Sequence, residues 1–193
     1  MGTKHDERRS EIGTRILIRT ALVMEETIIN KVANSNLVNI DLEDYYVKGS
    51  RIQIDIKEQL FMEQILREKD FREWIKTHDW SVYQNAYVAV HCSADAIIPI
   101  WAYMIIAAQL EPFAKKTVFG DLENLESELY MEAIEHLDLT PFINQRLIIK
   151  GCGNLPVPRS AYFMLTNKLR SIALSIMYGE ACSTVPIYKK ASP

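Results

Sequence analysis

The sequence has too few cysteines and too short an apolar run for several classes of protein. Its 193 residues include three cysteines, an odd number that excludes a complete disulfide framework of the secreted kind. We therefore expect free thiols in a reducing, cytoplasmic compartment. The most apolar stretch, residues 96–110, contains Pro99 and is shorter than the roughly 20 residues of a membrane-spanning helix, so no membrane partner is expected.

Basic clusters and the common short catalytic motifs are also missing. The net charge is −3 and no basic stripe is interleaved with aromatic residues, which argues against a nucleic-acid partner. The chain has no GxGxxG, P-loop, GxSxG or HExxH motif, so dinucleotide, phosphate, esterase and metalloprotease sites have no support, and no reaction is predicted.

The composition that remains is that of an ordinary globular protein, with 48% hydrophobic and 24% charged residues. The length predicts a single domain, which we place at residues 24–190. Residues 1–23 are polar at first and then apolar with Arg15 and Arg19 as interruptions. We expect this extension to be disordered or to lie upstream of a natural start at Met24.

The hydrophobic pattern predicts an α/β fold. Residues 37–42 and 51–56 alternate with period two, and the short distance between them predicts an N-terminal antiparallel hairpin. Further strands are predicted at 87–90, 117–119, 146–149 and 175–178, and helices at 25–32, 57–77, 96–110, 121–137 and 160–169. Strands that alternate with helices indicate βαβ crossovers, so we expect one mostly parallel sheet with helices on both faces.

The three cysteines share one position in this pattern. Cys92, Cys152 and Cys182 each come just after the carboxyl end of a predicted strand. Parallel strands bring these ends to one edge of a sheet, where open α/β sheets carry their binding sites. The spacing of Pro99 from Cys92 and of Pro158 from Cys152 is similar, and Ala-Tyr follows each proline at the same distance, although we do not infer a repeat from this.

Three thiolates at one edge suit a soft metal, and we expect zinc or iron, or an iron–sulfur cluster. Asp95, Asp121 and His91 are the candidates for a further ligand, and Asp95 is preferred. His91 is the weakest because it is adjacent to Cys92, and adjacent strand residues point to opposite faces. Two alternatives stay open: one nucleophilic cysteine activated at a helix N-terminus, and buried thiols that only fill space.

Two helical segments raise the question of partners. The charged run from Arg67 to Arg72 is typical of a solvated helix face, and the alternative is a docking surface of a non-catalytic interaction module. The apolar segment 96–110 is typical of a central buried helix, and the alternative is contact with a second copy in a homodimer.

From about Met24 to Lys190 the chain resembles the bacterial domain of unknown function 2480 family. The stretches that carry the resemblance are 41–46, 66–72, 92–97, 101–104, 149–152 and 179–186, and they include all three cysteines with their flanks. The resemblance implies a cytoplasmic protein of Bacteroidetes-type bacteria. It also implies genes that neighbour those for iron–sulfur cluster assembly, so iron–sulfur assembly proteins are the expected partners. It implies no established activity.

Overall fold

A computed structural model describes residues 37–151, 153–180 and 183–191. Within them the chain is an α/β protein with seven strands, four α-helices and two separate sheets. The strands are β1 (Leu37–Asp41), β2 (Arg51–Asp55), β3 (Tyr87–His91), β4 (Lys116–Phe119), β5 (Arg146–Lys150), β6 (Ser175–Glu180) and β7 (Ser183–Lys189). The helices are α1 (Glu68–Thr77), α2 (Ile100–Leu110), α3 (Leu122–Glu135) and α4 (Arg159–Leu169). None of these helices has the length and apolarity needed to cross a membrane.

The parallel pairing is distributed over two sheets instead of the single sheet that was predicted. One sheet has the order β2-β3-β4 and is wholly parallel. The other has the order β1-β5-β6-β7, in which β7 alone is antiparallel to its neighbour. The strand that leads to Cys92 therefore lies in a different sheet from the strands that precede Cys152 and Cys182.

The predicted N-terminal hairpin is wrong, although both of its strands form. β1 pairs parallel with β5, and β2 pairs parallel with β3. The reason lies at the strand ends, where Asp41 and Asp55 each cap a 3₁₀ turn and accept a backbone hydrogen bond from Glu43 and Lys57, each 3.0 Å long. The chain thus leaves each strand through a helical turn, which carries it away from the sheet instead of reversing it into a hairpin.

Two predicted helices begin later than their sequence pattern indicates. The helix predicted at 57–77 forms only from Glu68, because Met62 and Glu63 have positive φ angles of 52° and 58° that a helix does not allow. The helix predicted from residue 96 begins at Ile100, directly after Pro99. The helix predicted at 25–32 lies outside the described residues.

The two sheets are built on repeated units. β2-β3-β4 and β1-β5-β6 have the same order and the same register, with Asp55 opposite His91 in one and Asp41 opposite Lys150 in the other. Residues 59 positions apart correspond, and the matching pairs include Asp79/Asp138, Asn85/Asn144, Pro99/Pro158, Ala102/Ala161, Tyr103/Tyr162, Leu110/Leu169 and Gly120/Gly179.

Backbone geometry supports the duplication. Asn85 and Asn144 both adopt left-handed φ angles, 59° and 54°, immediately before β3 and β5. Each donates its backbone N–H over 2.8 Å to a carbonyl that follows the next helix, that of Phe113 or Ile172. The second unit is discontinuous in the chain, since its first strand, β1, precedes the whole of the first unit.

Three apolar clusters hold these units together. One joins α3 and α4 to the four-stranded sheet, and its buried members include Ile40, Leu147, Ile176, Tyr130 and Leu165. The second joins α1 and α2 to the three-stranded sheet, and its buried members include Ile54, Val88, Val90, Phe71 and Ile106. The third packs Leu125 and Leu129 of α3 against Tyr87, Ala89 and Val118. Helix α3 therefore contacts both sheets.

Candidate functional site

A polar cavity lies at the carboxyl edge of the four-stranded sheet. Its volume is about 240 Å³. Residues from the ends of β1, β5 and β6 line it: Asp41, Glu43, Lys150, Gly151, Gly153, Tyr178, Gly179 and Glu180. The edge at which these parallel strands end is the one where α/β sheets carry their sites.

Two of the predicted metal ligands, Cys152 and Cys182, lie outside the described residues, but their chain neighbours do not. Gly151 and Gly153, which flank Cys152, both line the cavity, and so does Glu180, two residues before Cys182. Gly151 has a φ of +154°, and a Cβ at this position would come within 2.9 Å of the Leu42 Cβ. The close approach of the backbone to Leu42, directly after β1, thus requires glycine beside Cys152.

Lys150 forms ion pairs with two carboxylates that line the cavity. Lys150 Nζ lies 3.1 Å from Asp41 Oδ2 and 4.0 Å from Glu180 Oε1. Burial alone would raise the pKa of Asp41, but hydrogen bonds from the Glu43 N–H and Lys150 lower it overall. The hydrogen bond to Asp41 raises the pKa of Lys150. Both groups are therefore charged at neutral pH.

Glu43 offers a further oxygen. Its Oε1 is buried and has no hydrogen-bond partner among the described residues. A buried carboxylate oxygen without a partner is costly, which makes it a good acceptor for a cation or a proton donor. A Cβ at Gly153 would collide with this same oxygen, so the carboxylate lies directly against the backbone next to Cys152.

Two tyrosines stand beside the cavity. Tyr162 of α4 and Tyr178 of β6 form an edge-to-face pair with ring centroids 5.8 Å apart and an interplanar angle of 79°. The first unit repeats this pair at the corresponding positions, where Tyr103 meets Phe119 at 4.9 Å and 73°. The aromatic pair therefore belongs to the repeated architecture, and so do two of the cavity carboxylates, since Asp41 and Glu180 correspond to Asp55 and Asp121. The carboxylate of Glu43 is particular to the second unit, where the first has Lys57.

The equivalent edge of the three-stranded sheet carries Cys92. Its Sγ lies 3.8 Å from the carbonyl oxygen of Ala94, and the side chain packs half-buried against the cluster beneath α1 and α2. Asp55 accepts hydrogen bonds from the backbone N–H and the hydroxyl of Ser93, 3.0 Å and 2.5 Å long. His91 Nε2 is buried 3.8 Å from Asp55 Oδ2 and forms no hydrogen bond in the described structure.

The other predicted ligands are apart from the polar cavity. Asp95 is exposed in the turn after Cys92. Asp121 caps α3, as its sequence position predicted, by accepting a 2.9 Å hydrogen bond from the Asn124 N–H. Within residues 37–151, 153–180 and 183–191, no three His, Cys, Asp or Glu side chains are grouped closely enough to hold a metal ion.

The charged run at the start of α1 forms exposed local pairs. Arg72 Nε lies 2.8 Å from Glu68 Oε1, and Arg67 Nη1 lies 4.0 Å from Asp70 Oδ2. The guanidinium of Arg67 also stacks on the ring of Phe61, with its carbon 3.2 Å from the centroid. These contacts are local to one segment, whereas the Arg72 guanidinium carbon also lies 5.5 Å from the centroid of the Trp101 ring in α2.

Sequence reasoning missed Asp41, Glu43 and Lys150 as cavity residues. Each belongs to a stretch that the hydrophobic pattern assigned to a strand end or a turn. The signal that could have found them is the match between Asp41 and Asp55, two aspartates that end alternating segments and are followed by an apolar residue.

Comparison with known proteins gives one match. No curated protein and no solved structure matches the chain. The family model described as "Protein of unknown function (DUF2480)" matches residues 26–190, which is most of the chain. The chain therefore belongs to the DUF2480 family, as the resemblance of its cysteine-containing stretches predicted.

Proposed function

We propose that this protein binds zinc or iron, the latter alone or in an iron–sulfur cluster, through Cys152 and Cys182 at the polar cavity. The observation that supports the proposal is the lining of that cavity. It combines both chain neighbours of Cys152 with Glu180, which is close to Cys182 in the sequence. Two thiols at one small polar cavity would be suitable ligands for a soft metal.

The charges of the cavity favour a cation. Three carboxylates, those of Asp41, Glu43 and Glu180, accompany one ammonium group, that of Lys150. Asp41 is already engaged with Lys150, whereas Glu43 Oε1 has no partner among the described residues. Glu43 is therefore the carboxylate best suited to join the two thiolates, since zinc and iron both accept mixed sulfur and oxygen ligands.

Cys92 and Asp95 stay predicted ligands of lower rank. Their strand, β3, belongs to the other sheet, and the Cys92 side chain packs against apolar residues beneath α1 and α2. This packing is what the alternative of a space-filling thiol would require. Cys92 consequently serves as the matched control for the two cysteines at the cavity.

Metal analysis of untagged protein, purified under anaerobic and reducing conditions, tests the proposal. We expect close to one equivalent of zinc or iron per chain in the wild type and in the Cys92→Ser variant. Cys152→Ser and Cys182→Ser should each lose most of the metal, and Glu43→Gln should lower the affinity by about 10-fold. A wild-type protein without metal, or equal metal content in all three serine variants, would refute it.

We also propose that the protein acts in the cytoplasm as an accessory to iron–sulfur cluster assembly. The three cysteines, too many for one disulfide and too few for two, support a reducing compartment. The test is cluster transfer: a scaffold protein loaded with a cluster should pass it to the wild type but not to Cys152→Ser. Transfer at equal rates to both would argue against this role.

A further inference from the structure

Among the described residues, the three-stranded sheet ends in an edge strand with an apolar surface next to it. β4 is bonded to β3 on one side only. Phe119 at its end is 71% exposed, and Ile97, before α2, is 94% exposed. Ile100 and Met104 of α2 are also more than half exposed. We call these four side chains, Ile97, Ile100, Met104 and Phe119, the β4 patch.

The second unit has a strand paired at the corresponding edge. The residues 59 positions after the β4 patch are Pro156, Arg159, Phe163 and Tyr178. All four line one groove, and Ile187 of β7 lines it with them. β7 pairs antiparallel with β6, the strand that corresponds to β4. The same architecture therefore has an antiparallel strand on this edge in one unit and, among the described residues, none in the other.

On the side away from β3, β4 has backbone donors that no described residue uses. The Gly120 N–H donates to the Val90 carbonyl across the sheet, over 2.9 Å. Because backbone N–H groups alternate along a strand, those of Phe119 and Thr117 point away from β3 toward the open side. β7, by contrast, carries Pro186, which lacks an N–H and makes a poor template for a further strand.

The absence of charge on this surface favours a second copy of the chain as its partner. Helix α2 contains no Asp, Glu, Lys or Arg, and neither does the β4 patch. Lys116, the charged residue of β4, is paired with Glu132. In a twofold contact each surface meets its own copy, so a charged patch would repel itself whereas a neutral apolar patch does not. A second copy of this chain is the partner that such a surface fits without leaving a charge unpaired.

We propose that the protein forms a homodimer in which β4 pairs antiparallel with β4 of a second copy. The two three-stranded sheets then become one continuous six-stranded sheet. The β4 patches of both copies then cover each other beside the new strand pair. This inference is independent of metal binding at the polar cavity, which lies on the other sheet.

Sedimentation equilibrium of the full chain over a range of concentrations tests the dimer. The wild type should have twice the chain mass of 22.2 kDa. Met104→Glu places like charges across the twofold axis and should raise the dimer dissociation constant at least 10-fold. The matched control is Phe163→Glu at the corresponding position of α4, which is 70% exposed and should leave the dissociation constant unchanged.

Thr117→Pro separates strand pairing from simple apolar contact. It removes a backbone N–H that points to the open side and that the sheet itself does not use, so the fold should survive, as circular dichroism would show. The dimer should dissociate. A monomeric wild type overturns the proposal, as does a Phe163→Glu variant that dissociates like Met104→Glu, or a folded Thr117→Pro variant that remains fully dimeric.

Discussion

The contact between Arg51 of β2 and Glu126 of α3 is the ion pair whose removal we expect to be most damaging. Arg51 Nε and Nη2 donate to the two carboxylate oxygens over 2.7 Å and 3.2 Å, and each side chain is only 12% exposed. The same guanidinium donates to the carbonyls of Gly49 and Val47 and lies 4.4 Å from the centroid of the Tyr46 ring. Arg51 therefore links the first sheet, the loop before it and the helix that reaches both sheets.

Arg51→Met keeps the aliphatic bulk but leaves the Glu126 carboxylate buried without its cation. Breaking a buried pair costs about 3–5 kcal/mol, and the residual exposure here favours the lower end, about 3 kcal/mol. For a domain of this size that loss lowers the melting temperature by about 6–12 °C. Adding Glu126→Leu removes the stranded charge and should recover half or more of the lost free energy of unfolding.

Urea denaturation followed by circular dichroism and tryptophan fluorescence measures these free energies. The control is Arg72→Met, which breaks a pair of similar length with Glu68 in which both side chains are more than half exposed. We expect this control to cost less than about 0.5 kcal/mol. A cost of Arg51→Met no greater than that of the control, or a double variant less stable than Arg51→Met alone, would refute a stabilising role of this ion pair.

Three further predictions follow from single groups. Burial alone would raise the pKa of Asp55, but hydrogen bonds from Ser93 lower it overall. The stabilising effect of its charge is therefore complete above about pH 4 and is lost as the pH falls through the lowered folded-state pKa. Asp55→Asn should therefore make the free energy of unfolding, measured by urea titration, fall less steeply toward acid pH. An unchanged pH dependence would contradict this. Burial raises the pKa of Tyr130 to about 12, and its hydroxyl has no hydrogen-bond partner in the described structure. Tyr130→Phe should leave the free energy of unfolding unchanged or raise it by up to about 1 kcal/mol, whereas a clear loss in thermal or urea unfolding would reveal a missed hydrogen bond. Gly151→Ala should lower the free energy of unfolding in urea by about 1–3 kcal/mol and weaken metal binding, because residue 151 has a φ of +154° and an alanine Cβ would crowd Leu42. A variant as stable as the wild type would disprove that crowding.

The sequence predicts local elements well where the pattern and the start signal agree. The apolar run at 87–90 marks β3, and Asp121 marks the first turn of α3, where the structure adds a capping box with Asn124. Failure came where the pattern is ambiguous. Phe61 and Ile65 fit the helical period of the segment that follows, yet Met62 adopts a left-handed conformation. Glycine is the usual sequence signal for this conformation, and none is present at this position.

The hydrophobic periodicity of the sequence did not predict which strands pair. Alternation tells which face of a strand is buried, but it does not identify the neighbouring strand, so nearness in sequence made β1 and β2 look like partners. The same limit applies to Cys92, which was expected at the same sheet edge as Cys152 and Cys182. A position after the carboxyl end of a strand does not determine which of two sheets that strand joins. The sequence contains the motif Pro-x-x-Ala-Tyr twice, at Pro99 and at Pro158. The shared register of the two sheets is what establishes the repeat.

β1 is synthesised before its partner exists. β5 begins at Arg146, about 110 residues after Leu37, and a ribosome adding about 5–20 residues per second needs roughly 5–20 s to make that stretch. During this interval β2, β3 and β4 can fold, while the backbone of Val38 and Ile40 has no β5 to pair with. Newly made chains thus pass through a stage that is open to chaperones and to aggregation, and slow translation between the two sheets lengthens it.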